Sequence, residues 1–169
     1  NLLRPDADPL IGRRIGAALA DLHASPVPTR RCWTVDDELA VLGARLARAG
    51  QQRPDLAPRI DTVLAACAVL AADLPPTAPT GIHRDFHPGQ VLIDGERLVF
   101  VDFDLYALGD PALDVGNWLA HLIELGLRHH GGPAALTTLI DGFVDGYRGH
   151  GPTLPDAAVT GWATLSLAR

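Results

Sequence analysis

The stretch that decides the reading runs from His83 to Asp114, HRDFHPGQVLIDGERLVFVDFDLYALGDPALD. Polar residues with chemical capability are denser here than elsewhere in the chain. The apolar residues come in two short runs, Val91-Leu92-Ile93 and Leu98-Val99-Phe100-Val101, parted by Asp94-Gly95. Asp-Gly between such runs favours a tight hairpin turn. Two strands are therefore expected, the second running on through Asp102-Phe103, with Gly81-Ile82-His83 as a further short strand before them. Asp85 then falls in the loop after that first strand, Gln90 lies five residues on, and Asp102 ends the second apolar run. Closing the hairpin draws two carboxylates and an amide oxygen together. Such an oxygen-rich grouping suits Mg²⁺, a hard cation that prefers carboxylate and amide ligands, and leaves Asp85 free to act as a base.

Outward from this stretch the period changes to that of helices. On the N-terminal side, Asp8-Pro9 reads as a cap and first turn, followed by Ile11, Ile15, Ala18, Leu19 and Leu22 at helical spacing, with an end near His23 to Pro26. Thr34 with Asp37 three residues on resembles a capping box, ahead of Leu39, Leu42 and Leu46 and a close at Gly50. Pro58 opens a third helix through Ile60, Val63, Leu64, Cys67 and Leu70 to Leu74, stopped by Pro75-Pro76. On the C-terminal side helices are expected after Asp110-Pro111, after Pro133, and from Pro155 to the last residue. The fold class is thus α+β, mainly helical, with a short β-hairpin carrying the chemically equipped loops. One domain is expected over 1–169.

With 169 residues, 47% hydrophobic and 20% charged, the chain is long enough to bury a core without disulfide or metal staples. No apolar run approaches the ~18 residues that span a bilayer, and a net charge of -6 without a basic stripe argues against nucleic acid. Cys32 and Cys67 form no zinc or CxxC pattern, so a reduced, cytoplasmic setting is expected, with both as packing atoms. All 14 basic residues are arginine and methionine is absent, so the chain reads as part of a longer protein.

His83-Arg84-Asp85, four residues and Gln90 resemble the kinase catalytic loop H-R-D-x-x-x-x-N, and Asp102-Phe103-Asp104 stands where the metal-binding D-F-G lies. The His87-Pro88-Gly89 that follows the aspartate, the strand pair after it, and Gly109-Asp110-Pro111-Ala112-Leu113-Asp114 resemble the aminoglycoside phosphotransferase family of small-molecule kinases, within the protein-kinase-like superfamily. The motif-bearing likeness covers about 81–121. It implies the C-terminal, catalytic lobe of a kinase that transfers the γ-phosphate of ATP to a hydroxyl of a sugar, aminoglycoside or amino alcohol. Asp85 would orient or deprotonate that hydroxyl, while Asp102 and Gln90 would hold Mg²⁺. His83 and Asp114 would brace the loop, Asp110 would cap the next helix, and His87 and Asp104 would contact the acceptor. Gln90 is one methylene longer than the Asn of the motif, a length that maltokinase-like relatives share. The phosphate-binding lysine and glycine-rich loop of such kinases are absent, so an N-terminal nucleotide-binding lobe of the same parent chain is implied as partner and this chain alone is expected to be inactive.

Two other readings compete. A non-catalytic binding or regulatory module with the same shape is favoured by the longer Gln90, and a zinc hydrolase would use His83, Asp85 and His87 as ligands. Serine hydrolase chemistry is excluded, since Ser25 and Ser166 lie in no G-x-S-x-G elbow.

Overall fold

The computed structural model describes residues 8–169, so the first seven positions of the domain expected over 1–169 lie outside the described residues. Helix α1 (Pro9–Ala24) begins where expected, with Asp8 accepting the Leu10 N–H at 2.9 Å. Helix α2 (Val35–Gln52) opens on a reciprocal box in which Thr34 Oγ1 accepts from Asp37 N and Asp37 accepts from Thr34 N. A 3₁₀ turn, Pro54–Leu56, leads into α3 (Ala57–Ala72). After β1 (Thr80–Ile82), a second 3₁₀ turn (Pro88–Gln90), β2 (Val91–Asp94), β3 (Arg97–Phe100) and β4 (Ala107–Gly109), the chain returns to helices α4 (Pro111–His129), α5 (Thr137–His150) and α6 (Asp156–Ala168).

Strands β2 and β3 form the expected antiparallel hairpin, Leu92 opposite Val99 and Asp94 opposite Arg97, with Gly95 at φ +56° in the turn. The expected run through Phe103 is shorter in fact. One more ladder bond, Val101 N to Gln90 O at 3.0 Å, follows Phe100, and then Asp102 takes φ +66° and turns the chain out of the sheet. Strand β4 has no counterpart in the sequence reading. It pairs antiparallel with β1, Thr80 opposite Gly109 and Ile82 opposite Ala107. The segment before α2 adds to the same edge, Trp33 N donating to Leu108 O and Leu108 N to Arg31 O. Cys32 sits in that bridge and is exposed, so it is not the packing atom expected, whereas Cys67 is buried.

Two cores flank the strands. One gathers Ile15, Leu19, Phe86, Trp118 and Phe143 between α1, α4 and α5; the other gathers Leu42, Ile82, Leu113, Trp162 and Leu165 between α2, α4 and α6. Helices α1 and α5 cross with unusual intimacy. A Cβ on Gly12 or Gly16 would overlap backbone oxygens of Leu139 or Phe143, and one on Gly142 or Gly146 would overlap those of Pro9 or Arg13. Small residues four apart on both helices let the two backbones touch. Among the described residues no helix is long and apolar enough to cross a membrane.

Candidate active site

Where β1 ends, the chain enters a loop that α4 holds by its backbone. Asp114, fully buried, accepts His83 N at 2.6 Å and Arg84 N at 2.7 Å, and Asn117, one turn further along α4, donates its Nδ2 to Arg84 O at 2.9 Å. Both N–H groups and the carbonyl of the bend are thereby paired by one helix face. Arg84 has φ +75°, the left-handed region that a residue with a Cβ enters only when its surroundings compel it. Its guanidinium lies 3.4 Å over the Trp33 ring, and burial pulls its pKa below the ordinary value.

Behind Asp114 a third donor completes the anchor. His23 Nε2 lies 3.1 Å from Asp114 Oδ2, and His23 Nδ1 lies 2.8 Å from Tyr147 Oη. A carboxylate only accepts, so Nε2 carries a proton, and in the neutral ring Nδ1 accepts from the tyrosine hydroxyl. Burial first, then the charges of Asp114 and Asp110, push the Tyr147 hydroxyl well above its usual pKa, which keeps that proton in place. The chain Tyr147, His23, Asp114 thus connects α5 and α1 to the loop.

Beyond this bend Asp85 points into a cavity of about 440 Å³ that Arg45, His87, His121, Glu124, Ser166 and Arg169 help to line. That is a size suited to small molecules. The Asp85 carboxylate is 39% exposed, with Arg169 3.7 Å from Oδ1 and His87 Nε2 3.8 Å from Oδ2. Arg169 is itself held by Glu38 at 3.0 Å and by Asn117 Oδ1 at 3.4 Å. His121 is kept below its usual pKa chiefly by burial and next by the neighbouring His87, against the opposing pull of Glu124.

The 3₁₀ turn at Pro88–Gln90 swings the Gln90 amide across to the end of the hairpin. Its Nε2 donates to Asp102 Oδ2 at 3.2 Å and lies 3.3 Å from His87 Nε2. The glutamine amide reaches the carboxylate from this turn. Asp85, His87, Gln90 and Asp102, spread over 18 positions, form one continuous contact chain. Among the described residues no three His, Cys, Asp or Glu side chains are grouped so as to enclose a metal ion.

Other sequence expectations separate here. Asp110 caps α4 through Ala112 N at 2.8 Å and also accepts from Trp162 Nε1 at 2.8 Å. His83 is buried, its Nε2 on Val101 O at 2.9 Å and its ring against Phe86 and Phe103. Turned inward in this way it cannot share a zinc ion with Asp85 and His87, and that reading falls. Asp104 is not among the residues lining this cavity; it is exposed in the turn after Asp102, its carbonyl accepting from the Arg31 guanidinium. His87 does line it. Asn117, His23, Tyr147 and Arg169 are additions. Asn117 carried a signal, being three residues after Asp114 and so on its helix face, whereas His23 lies 91 positions from its partner.

Solved structures share the fold. Glucosamine kinase superposes with a TM-score of 0.63 at 23% identity over 96% of this chain and 48% of its own. Spectinomycin phosphotransferase, in complex with ADP and spectinomycin, gives 0.61 at 15% over 95% and 54%, and amicoumacin kinase, in complex with AMP-PNP and Ca²⁺, 0.62 at 16% over 97% and 49%. The chain thus spans about half the length of these proteins. No curated protein matches it. Residues 1–158 match the profile of the phosphotransferase enzyme family, a match that takes in the loop, the hairpin and the α4 anchor together, and the chain belongs to that family.

Proposed function

We propose that this chain is the catalytic lobe of an ATP-dependent kinase that phosphorylates a hydroxyl of a small molecule. The observation that carries the reading is the contact chain from Asp85 through His87 and Gln90 to Asp102 at the mouth of a cavity. Asp85 is the residue with both access to the cavity and a backbone fixed from behind, the position from which a carboxylate accepts the proton of an attacking hydroxyl. Gln90 and Asp102 would hold Mg²⁺, which offsets the charge of the transferring phosphoryl group when bound. Asp114, Asn117 and His83 keep the loop in its strained form, so that Asp85 needs no rearrangement to meet the acceptor. Arg169 stands beside Asp85, its guanidinium 3.7 Å from Oδ1.

The phosphate anchor lies elsewhere. With no lysine in 169 residues, and with relatives about twice as long, the nucleotide-binding lobe is assigned to another part of the same parent protein. The acceptor is read as a small polyol, amino sugar or amino alcohol, in line with relatives named for glucosamine and spectinomycin. At the cavity the acidic Asp85 and Glu124 are matched by Arg45 and Arg169.

Release of ADP by the full-length protein against a panel of hydroxyl acceptors tests the reading. Asp85→Asn should lower kcat by about 10²–10⁴-fold with the acceptor KM little changed, and Asp102→Ala should remove Mg²⁺-dependent turnover. Near-normal turnover in a folded Asp85→Asn protein would exclude Asp85 as the base, and no acceptor-dependent turnover in the folded wild-type protein would favour the non-catalytic module.

A further inference from the structure

A carboxylate and a guanidinium at hydrogen-bond distance satisfy one another and leave less for a ligand. Asp85 and Arg169 stop short of that. Arg169 Nη2 lies 3.7 Å from Asp85 Oδ1, near enough for attraction and too far for a hydrogen bond. His87 Nε2, 3.8 Å from Oδ2, is likewise out of reach. Asp85 and Arg169 line the same cavity, so a hydrogen-bond acceptor and a donor stand side by side there with capacity unspent.

Their separation is held from behind. The Arg169 side chain is only 11% exposed; Nη1 donates to Glu38 Oε1 at 3.0 Å and Nη2 to Asn117 Oδ1 at 3.4 Å. Glu38 is buried, and its other oxygen accepts from Trp33 Nε1 at 3.1 Å. The Trp33 ring carries the guanidinium of Arg84, the residue before Asp85. One buried carboxylate on α2 thus fixes the cation and, through Trp33, bears on the loop that holds Asp85. Nη2 keeps a second N–H after Asn117 is served, and a guanidinium does not give up its charge.

A ligand that complements this pair donates to Asp85 and accepts from Arg169. Two oxygens on neighbouring carbons do both, since a hydroxyl is donor and acceptor at once. An ammonium on the neighbouring carbon has no lone pair to offer Arg169 and is repelled by it. We propose that Arg169 is a specificity-determining residue that binds the oxygen next to the attacked hydroxyl, so that the cavity selects a vicinal diol over a 2-amino alcohol. This rests on the phosphotransfer reading of the same site and narrows its acceptor. An amine further along the molecule is tolerated, because Glu124 also lines the cavity.

The test is acceptor-dependent ADP release by the full-length protein with glycerol, glucose and myo-inositol. Each is set beside analogues in which the oxygen next to the phosphorylated hydroxyl is replaced by hydrogen or by an amine, the phosphorylated position being read by phosphorus NMR. The diol should exceed both analogues in kcat/KM by about tenfold or more, the usual effect of a hydrogen bond to a charged group. Arg169→Met should cost the diol about tenfold more than it costs the deoxy analogue. A merely structural arginine would cost every acceptor alike, and that result, or a wild-type preference for the amino analogue, overturns the proposal. Removing Arg169 leaves the Glu38 charge buried without its partner. Arg169→Met combined with Glu38→Gln, whose amide oxygen still accepts from Trp33, carries the test should the single variant fail to fold. Turnover of none of these acceptors overturns the phosphotransfer reading and the diol selection together, whereas turnover indifferent to Arg169 overturns the selection alone.

Discussion

At the scale of single residues, the site is a set of side chains whose freedom has been removed by neighbours. Asp114 accepts three donors while fully buried, and a buried carboxylate is tolerated only when its lone pairs are filled. Asn117 works in the same way with the opposite polarity, donating to the loop and accepting from Ser166 and Arg169. His121 shows how burial at the cavity feeds into stability. Its pKa is held below the usual 6.5, first by burial and then by the His87 ring. The unfolded chain therefore takes up the proton more readily than the folded one. Its contribution is fully present above the unfolded pKa and is lost as pH falls through that value toward the lower folded one. Urea midpoints from pH 7.5 to 5.5 should fall more steeply for the wild-type protein than for His121→Gln. Parallel profiles would mean that the ring titrates as freely in the fold as outside it.

At the scale of elements, the α1/α5 crossing decides where His23 and Tyr147 can meet. Each helix presents glycines four residues apart, and each glycine faces a backbone oxygen of the other helix. Alanine is the better helix former by about 1 kcal/mol, so a glycine in a helix can be replaced with profit only where space permits. Gly43 of α2 has nothing within 4 Å of a built Cβ, and Gly43→Ala should stabilise by up to about 1 kcal/mol. Gly146→Ala would drive its methyl into the Arg13 backbone and should destabilise by about 1–3 kcal/mol. The midpoint of denaturant unfolding reads both. A stabilised Gly146→Ala protein would mean that the helices stand further apart than described. Along α4 the logic is one of sidedness. Asp114 and Asn117 face the loop, while Glu124 and His121, two turns on, face the cavity, so one helix carries both the anchor and part of the wall.

At the scale of the whole molecule, the 169 residues match about half of each solved relative and contain no lysine to hold a nucleotide phosphate. The chain alone should therefore show no acceptor-dependent release of ADP while the full-length protein does, and comparable rates for the two would relocate the phosphate anchor to this lobe. The amino-acid sequence by itself determined what depends on neighbours along the chain: the caps at Asp8, Thr34 and Asp110, the six helices with their starts, and the ends of α1, α2, α3 and α6, correct to within a few residues, the Asp94-Gly95 hairpin, and the pairing of Gln90 and Asp102 at its base. These rest on turn chemistry, helical spacing and a loop short enough to restrict its own geometry. The tertiary structure alone decided the rest. Strand β4 exists because β1 offers it an edge, not because Ala107-Leu108-Gly109 favours extension. The left-handed bends at Arg84 and Asp102, the burial of His83, the exclusion of Asp104 from the cavity and the arrival of His23, Tyr147 and Arg169 behind the loop depend on residues up to 131 positions apart. Such contacts are selected by packing against the finished core, and no local pattern in the chain encodes them.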